Sequence, residues 1–310
     1  MVNGKDKILI EIAAYRDPDL VNTISSALIQ ANNPDRISFS ICYQGDDLRD
    51  YNLLKKFNHC KIKHLKDSET KGPCYARYLC QQMLDDENYV FQIDSHMRFV
   101  KHWDDKMITQ LLSLNDKKAT ISFYPTNLIN DMESVPVNDE VFDYPTLSNV
   151  NIAKCFHERG SYFISFNSIP HNNKDRLARS PFISAGNFFS FADAHREVLH
   201  DPEMCWYGDE LPMSIRYYTY GWNNYCPTEC YIYHKYLRKN RFIPKSYSMG
   251  KEREEKRLIQ LLNLNHEDYD MGKFGLGKQR TLKQFEEYAG IDFSKKLILK
   301  KNKTGWFTHG

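Results

Sequence analysis

The chain has 310 residues with 42 Lys and Arg against 40 Asp and Glu, a formal charge of +2, and is 41% hydrophobic and 26% charged. That balance describes a folded globular protein, and it leaves no global basic field to mark a nucleic-acid or anionic-membrane partner. The length holds one large α/β domain with an accessory piece, or two small domains. Eight cysteines are scattered along it; Cys42 and Cys80 sit in apolar patterns and read as small core residues. Cys226 and Cys230 lack a second Cys/His pair at zinc spacing. The start, MVNGKDKILIEIAAYRD, has no apolar h-region, and no run of about 18 apolar residues occurs anywhere. The expectation is a cytoplasmic protein with no membrane span.

In chain order, KILIEIAAY reads as a first strand, interrupted by Glu11. Asp17 and Pro18 predict a helix start, Asp as N-cap and Pro at the first helical position, before the stripe Leu20, Ile24, Leu28 and Ile29. ISFSICYQ is a second strand, followed by a short helix through Leu53, and KIKHLKD a third. Gly72 and Pro73 open a helix with Tyr75, Leu79 and Met83 on one face, leading into YVFQIDSH. This alternation of strand and helix is the grammar of a doubly wound sheet. Neither G-x-G-x-x-G nor G-x-x-x-x-G-K-[ST] is present, which argues against a dinucleotide-binding dehydrogenase and a P-loop enzyme.

Further on, a helix enters through His102 and Trp103, and KKATISFYP is another strand. Residues 127–177 are rich in Asn, Asp, Pro and Ser with one aromatic strand, SYFISF, and read as a loop-rich acceptor region. PFISAGNFFSF, a helix from Asp193, a helix after Asp209 and Glu210 that ends at Gly221, and the strand YIYHKYLR follow. Two amphipathic helices, Lys251 to Leu262 and LKQFEEYAG, complete the chain. The domain expectation is 1–245 as one catalytic unit, divided into a nucleotide-binding half (1–110) and an acceptor half (111–245), with 246–310 as a helical extension.

The stretch from Tyr89 to Phe99, YVFQIDSHMRF, carries the chemistry. An apolar strand stops at Asp94, Ser95 and His96, which puts a carboxylate and an imidazole two residues apart on one side of the strand end. That pair can chelate a divalent cation, Mg2+ or, with the imidazole, Mn2+. The plainer reading is a turn begun by Asp94 and capped by Ser95. A strand ending in D-x-D or D-x-H is what a nucleotide-sugar transferase needs, because ligands gather at the carboxyl ends of strands in an α/β sheet.

The ordered series AAYRDPDL, GPCYARYL, QIDSHMRF, SAGNFF, WYGDELPMSIRYYTYGW, YHKY and GKQRTLKQFEEYAGIDF resembles the cytoplasmic polypeptide α-N-acetylglucosaminyltransferases. That family includes the enzyme that places GlcNAc on a hydroxyproline of a ubiquitin-ligase adaptor. The chain is more distantly similar to the mucin-type polypeptide N-acetylgalactosaminyltransferases. The resemblance covers nearly the whole chain and implies a GT-A fold: a single Rossmann-like mixed sheet flanked by helices. It also implies a UDP-GlcNAc donor, a Mn2+ or Mg2+ cofactor, retention at the anomeric carbon, and a protein or glycan acceptor. Carried over by position, Asp94, His96 and His234 would ligate the cation, against the alternative that His234 is a packed strand imidazole.

The same resemblance assigns Arg77 to the nucleotide, where guanidinium matches phosphate, against a surface helix charge. Arg16 and Gln44 stand where such sheets hold uridine, and Asp94 and Ser95 would touch the donor. Lys235 and Arg238 would neutralise the departing UDP, and Gly186 and Asn187 would approach the donor sugar. Asp209 and Glu210, the counterpart of W-G-G-E-N in the mucin-type enzymes, would serve the acceptor side; helix capping is the competing account of at least one of them. Other readings are extension of a glycan with another UDP-sugar, a nucleotidyltransferase, which would carry a glycine-rich basic loop after the first strand, and an inactive sugar-binding module.

Overall fold

The structure, a computed structural model, describes residues 6–128, 149–157, 161–170, 178–236, 251–267 and 269–299. The strands are β1 (Ile8–Tyr15), β2 (Ile37–Gln44), β3 (Cys60–Leu65), β4 (Tyr89–Ile93), β5 (Met97–Phe99), β6 (Ala119–Ser122), β7 (Thr126–Asn127) and β8 (Asn149–Phe156). They continue as β9 (Ile164–Pro170), β10 (Ala178–Arg179), β11 (Asn187–Phe191), β12 (Asn223–Cys226), β13 (Ile232–His234), β14 (Ile291–Asp292) and β15 (Leu297–Ile298). The helices are α1 (Leu20–Gln30), α2 (Arg49–Leu54), α3 (Pro73–Gln81), α4 (Trp103–Ser113), α5 (Asp193–Glu197), α6 (Leu211–Thr219), α7 (Lys251–Leu262) and α8 (Leu282–Ala289). No described helix is long and apolar enough to cross a membrane.

Eight strands form one mixed sheet in the order β10-β12-β6-β11-β4-β1-β2-β3. β4, β1, β2 and β3 run parallel, as the strand-helix alternation predicts, while β11 runs antiparallel between β4 and β6. Central strands buried on both faces need apolar residues in unbroken runs rather than alternation, and all five residues of β4 are buried. The main core gathers Ile8, Ile10 and Ile12 of β1, Phe39 of β2, Phe91 of β4 and Trp103 of α4. A second core joins Phe163, Phe182, Leu211 and Ile215 to Leu258 of α7 and Phe285 of α8.

A small sheet, β5-β13-β7, sits at the carboxyl end of β4. β13 pairs antiparallel with β5 in the register His234 to Met97. This register carries the functional consequence, since it sets the end of β13 against the residues that follow β4.

Several expectations are corrected. Glu11 does not interrupt the first strand: β1 runs through it, and its carboxylate lies 2.9 Å from Nδ1 of the equally buried His195. Asp17 is not a helix cap and Pro18 is not helical, because α1 begins at Leu20 with Asp19 in the N-cap position. Among its described residues the stretch 127–177 holds two long strands rather than one, β8 and β9 forming an antiparallel pair with a bulge at Ala153 and Cys155; the start of β8 is polar and Asn-rich, which hides its β pattern.

Candidate metal and donor site

The chain leaves β4 at Ile93, turns through Asp94, Ser95 and His96, and re-enters a strand at Met97. Thr23 of α1 pins that turn, its Oγ1 accepting from the Met97 N–H at 2.9 Å and donating to the Ser95 carbonyl at 2.8 Å. His234 arrives opposite through the β5-β13 pairing. Its Nε2 lies 3.0 Å from Nε2 of His96 and 3.2 Å from Oδ2 of Asp94, with the third edge at 3.9 Å. Among the described residues this is the group of three His, Cys, Asp or Glu side chains whose ligand atoms converge, all within 4.8 Å of one another.

A divalent cation bonded at about 2.1 Å sets neighbouring ligand atoms about 3.0 Å apart at right angles and about 3.4 Å apart at tetrahedral angles. Two of the three edges, at 3.0 and 3.2 Å, fall in that range and the third, at 3.9 Å, is wider; the donor chemistry, two imidazole nitrogens and a carboxylate oxygen, suits such an ion. Burial opposes ionisation of Asp94, but the hydrogen bond with His234 and the positive charge of Arg77 hold its carboxyl well below the usual carboxylate range. The ligand oxygen is thus anionic at neutral pH.

Asp17 supports the cluster from behind. Its Oδ2 accepts from Nδ1 of His96 at 2.7 Å and from the Ser95 hydroxyl at 2.8 Å. With Nδ1–H committed there, Nε2 of His96 presents its lone pair to the cluster, the arrangement by which a carboxylate fixes the tautomer of a ligating imidazole. Burial raises the Asp17 pKa, and the bond and charge of His96 more than offset it, leaving the carboxyl at about 2.

Arg77 is only 3% exposed, so it is no surface charge. Its Nη2 donates to Oδ1 of Asp94 at 2.9 Å and its Nε stands 3.9 Å from Asp209. Nε and Nη1 are buried without a hydrogen-bond partner among the described residues. Orphaned buried guanidinium N–H groups are costly unless something accepts from them.

Glu210 precedes α6, yet the helix has no side-chain cap. The Glu210 carboxylate instead accepts from the Tyr124 hydroxyl at 2.8 Å and the Ala185 N–H at 3.3 Å. Capping therefore does not account for it. Burial, against the pull of the Tyr124 hydrogen bond, pushes Glu210 up to about 7. Burial and the like charges of Glu210 and Asp94 keep Asp209 well above the ordinary range despite Arg77.

Gly186 lies against Asp94, where an added Cβ would meet Oδ2 at 2.6 Å. Asn187 is fully buried; its Nδ2 donates to the Phe123 carbonyl at 3.0 Å and its Oδ1 has no hydrogen-bond partner among the described residues. A cavity of about 440 Å³ opens at the carboxyl ends of β1 and β2, lined by Arg16, Asp17, Tyr43, Asp46 and Asp67 among others. Asp17 thus faces the cavity and holds His96 at once. Gln44 is buried between Tyr43 and Gly45 and is not among the lining residues. Lys235 points its Nζ to Asp19 at 3.2 Å, while its backbone N–H donates to the His96 carbonyl at 3.1 Å. Arg238 lies outside the described residues.

The glycosyltransferase (GlcNAc) family model matches residues 46–295, most of the chain. The chain belongs to that family. No curated protein matches it. Among solved structures, this glycosyltransferase-family chain is similar to GalNAc-T7 with UDP, GalNAc and Mn2+, at 16% identity and a TM-score of 0.56, covering 91% of this chain. It spans about half, 54%, of the GalNAc-T7 chain. It is also similar to residues 1–349 of S. aureus TarS, at 10% identity and a TM-score of 0.50, over 85% of this chain and 67% of that one. The likeness establishes the expected GT-A type of fold, a large mixed sheet flanked by helices.

In this family member, sequence reasoning missed Asp17, Thr23 and Tyr124 as parts of the site. A signal existed for the first: Asp17-Pro18-Asp19 offers two carboxylates for a single helix start, which leaves one over. For Thr23 and Tyr124 only the folded contacts reveal the role.

Proposed function

We propose that this glycosyltransferase-family chain is a metal-dependent retaining transferase that moves N-acetylglucosamine from UDP-GlcNAc to a hydroxyl of a protein, a hydroxyproline, Ser or Thr, in α linkage. The observation that carries this reading is the convergence of Asp94, His96 and His234 at the end of β4, with two Arg77 N–H positions beside it that have no partner among the described residues. The GalNAc-T7 structure of similar fold is described with UDP, GalNAc and Mn2+, which supports a nucleotide-sugar donor and a divalent ion. The subfamily, the GlcNAc donor and the hydroxyproline acceptor rest on the resemblance of the seven ordered stretches.

Asp94, His96 and His234 would hold Mn2+ or Mg2+, which when bound supplies positive charge against the diphosphate of the departing UDP. Arg77 offers its free N–H groups to a phosphate oxygen, with Lys235 and Arg238 as further cations for the same charge. The cavity at β1 and β2, with Arg16 and Gln44 near it and several carboxylates in its wall, suits the N–H and O–H groups of a uridine. Gly186 lets the backbone come close to the donor sugar, and Asn187 presents an amide oxygen to a hydroxyl. Glu210, held by Tyr124, and Asp209 orient the acceptor. The acceptor oxygen attacks the anomeric carbon on the face from which UDP departs, the bond to the β-phosphate oxygen breaks, and the hydroxyl proton passes to that oxygen.

The test is incubation with a panel of UDP-sugars and Mn2+, with release of UDP and the mass of an acceptor peptide as readouts. UDP release from UDP-GlcNAc that ends on adding EDTA, and is missing in Asp94→Ala, is expected. Preference for another UDP-sugar would overturn the donor assignment, and stabilisation by UDP without turnover would make the protein a binder.

A further inference from the structure

Glu254 of α7 is 1% exposed, and its carboxylate is held by backbone N–H groups. Its Oε1 accepts three successive N–H groups, from Cys205 at 2.7 Å, Trp206 at 2.6 Å and Tyr207 at 2.9 Å. Consecutive N–H groups turned to one point make a concave anion site, and here the anion comes from the same chain, 47 to 49 positions further on. The turn it fills ends at Asp209 and Glu210. On its other side the Cys205 carbonyl accepts from the Cys74 N–H of α3 at 3.1 Å, one helical turn before Arg77. The turn has no slack, since a Cβ on Gly72 would collide with Cys205 and one on Gly208 with Met204. The rest of α7 fastens the neighbouring segments: Glu255 accepts from the Ser161 hydroxyl and the Tyr162 N–H, both at 2.6 Å, and Arg257 donates to Asp201 at 2.7 Å.

We propose that Glu254 is a positioning residue for the acceptor-side acids, its carboxylate fixing the 205–208 turn so that Asp209 and Glu210 meet Arg77 and Tyr124. The inference rests on the transferase reading and extends it to the C-terminal helices. Charge-assisted hydrogen bonds are about twice as strong as neutral ones, and three of them on one oxygen outlast the loss of any single contact. An error of about 1 Å in a reacting group can cost about a hundredfold in rate, so a loosened turn should be felt in kcat. The metal ligands lie on other segments and Arg77 keeps its hydrogen bond to Asp94, so binding of UDP with Mn2+ should change little.

Full-length Glu254→Ala and Glu254→Asp are compared with wild type for UDP-sugar turnover, for calorimetric binding of UDP with Mn2+, and for hydrogen exchange of the 205–207 amides. Expected are a fall in kcat of about ten- to hundredfold in both, binding within about twofold, and lost amide protection. Glu254→Gln, which keeps an acceptor oxygen, should recover much of kcat. The aspartate retains the charge but stops a methylene short, so it serves if the alanine variant fails to fold. Wild-type kcat in the folded variants, or turnover and UDP binding falling together, would overturn the positioning role. Wild-type protein that turns over no UDP-sugar would overturn the functional reading and this inference with it.

Discussion

Oδ2 of Asp17 lies 2.7 Å from Nδ1 of His96, across 79 positions of sequence. The contact joins the end of the first strand to the candidate metal cluster and decides which imidazole nitrogen would face a cation. Asp17→Asn keeps the shape but can present N–H to Nδ1 and so permit the wrong tautomer. Loss of such an outer partner costs about 10- to 100-fold in metal affinity. Titration of free Mn2+ by its electron paramagnetic resonance signal should show this drop, and unchanged affinity would remove Asp17 from the site.

Arg77 is the cation lodged between Asp94 and Asp209. Arg77→Met would leave the partly exposed Asp94 carboxylate without its buried partner, which costs at most about 3–5 kcal/mol, the figure for a fully buried pair broken on one side. Urea unfolding should show a loss within that limit, with UDP binding weakened as well. A stable variant that binds UDP normally would contradict both assignments.

Glu210 makes a pH-dependent contribution whose sign follows from its raised pKa of about 7 against an ordinary 4.5. Between these values the folded state binds more protons than the unfolded state, so stability falls as pH rises through the window. The loss is about 3 kcal/mol, at about 1.4 kcal/mol for each pH unit of the window. Glu210→Gln removes it, so metal-free variant and wild type should differ more in stability at pH 8 than at pH 5, in favour of the variant. Parallel stability curves would refute the shift.

Gly186→Ala places a methyl against the Asp94 carboxylate, at 2.6 Å from Oδ2. The carboxylate must move, and with it one edge of the cluster. Weaker Mn2+ binding with little change in melting temperature is expected; equal affinity would show that the carboxylate yields freely.

Much of this was legible in the sequence because local rules coincided with the fold. The abrupt end of YVFQI marks β4, Gly72 and Pro73 open α3, and Gly290 closes α8 in the left-handed conformation. In the sequence only the family resemblance joins Asp94, His96 and His234, and the β5-β13 register brings them into one cluster. An Asp before a Pro satisfies the local rule for a helix start, and for Asp17 the tertiary bond to His96 outweighs it. For Arg77 the sequence leaves surface and site equal, because periodicity places a residue on a helix face without saying what covers that face. The role of Glu254 had no local signature, since a glutamate in a charged amphipathic helix looks like any solvated one.

The two histidines of the cluster stand 138 positions apart. A cation held between them would act as a removable cross-link, closing a long loop whose entropy the unfolded chain would otherwise regain. Ion affinity and docking of the two halves of the chain are then thermodynamically linked. A chelator should therefore lower the resistance of the C-terminal half to proteolysis as well as stop turnover, and the affinity for Mn2+ becomes a measure of how completely the molecule has closed.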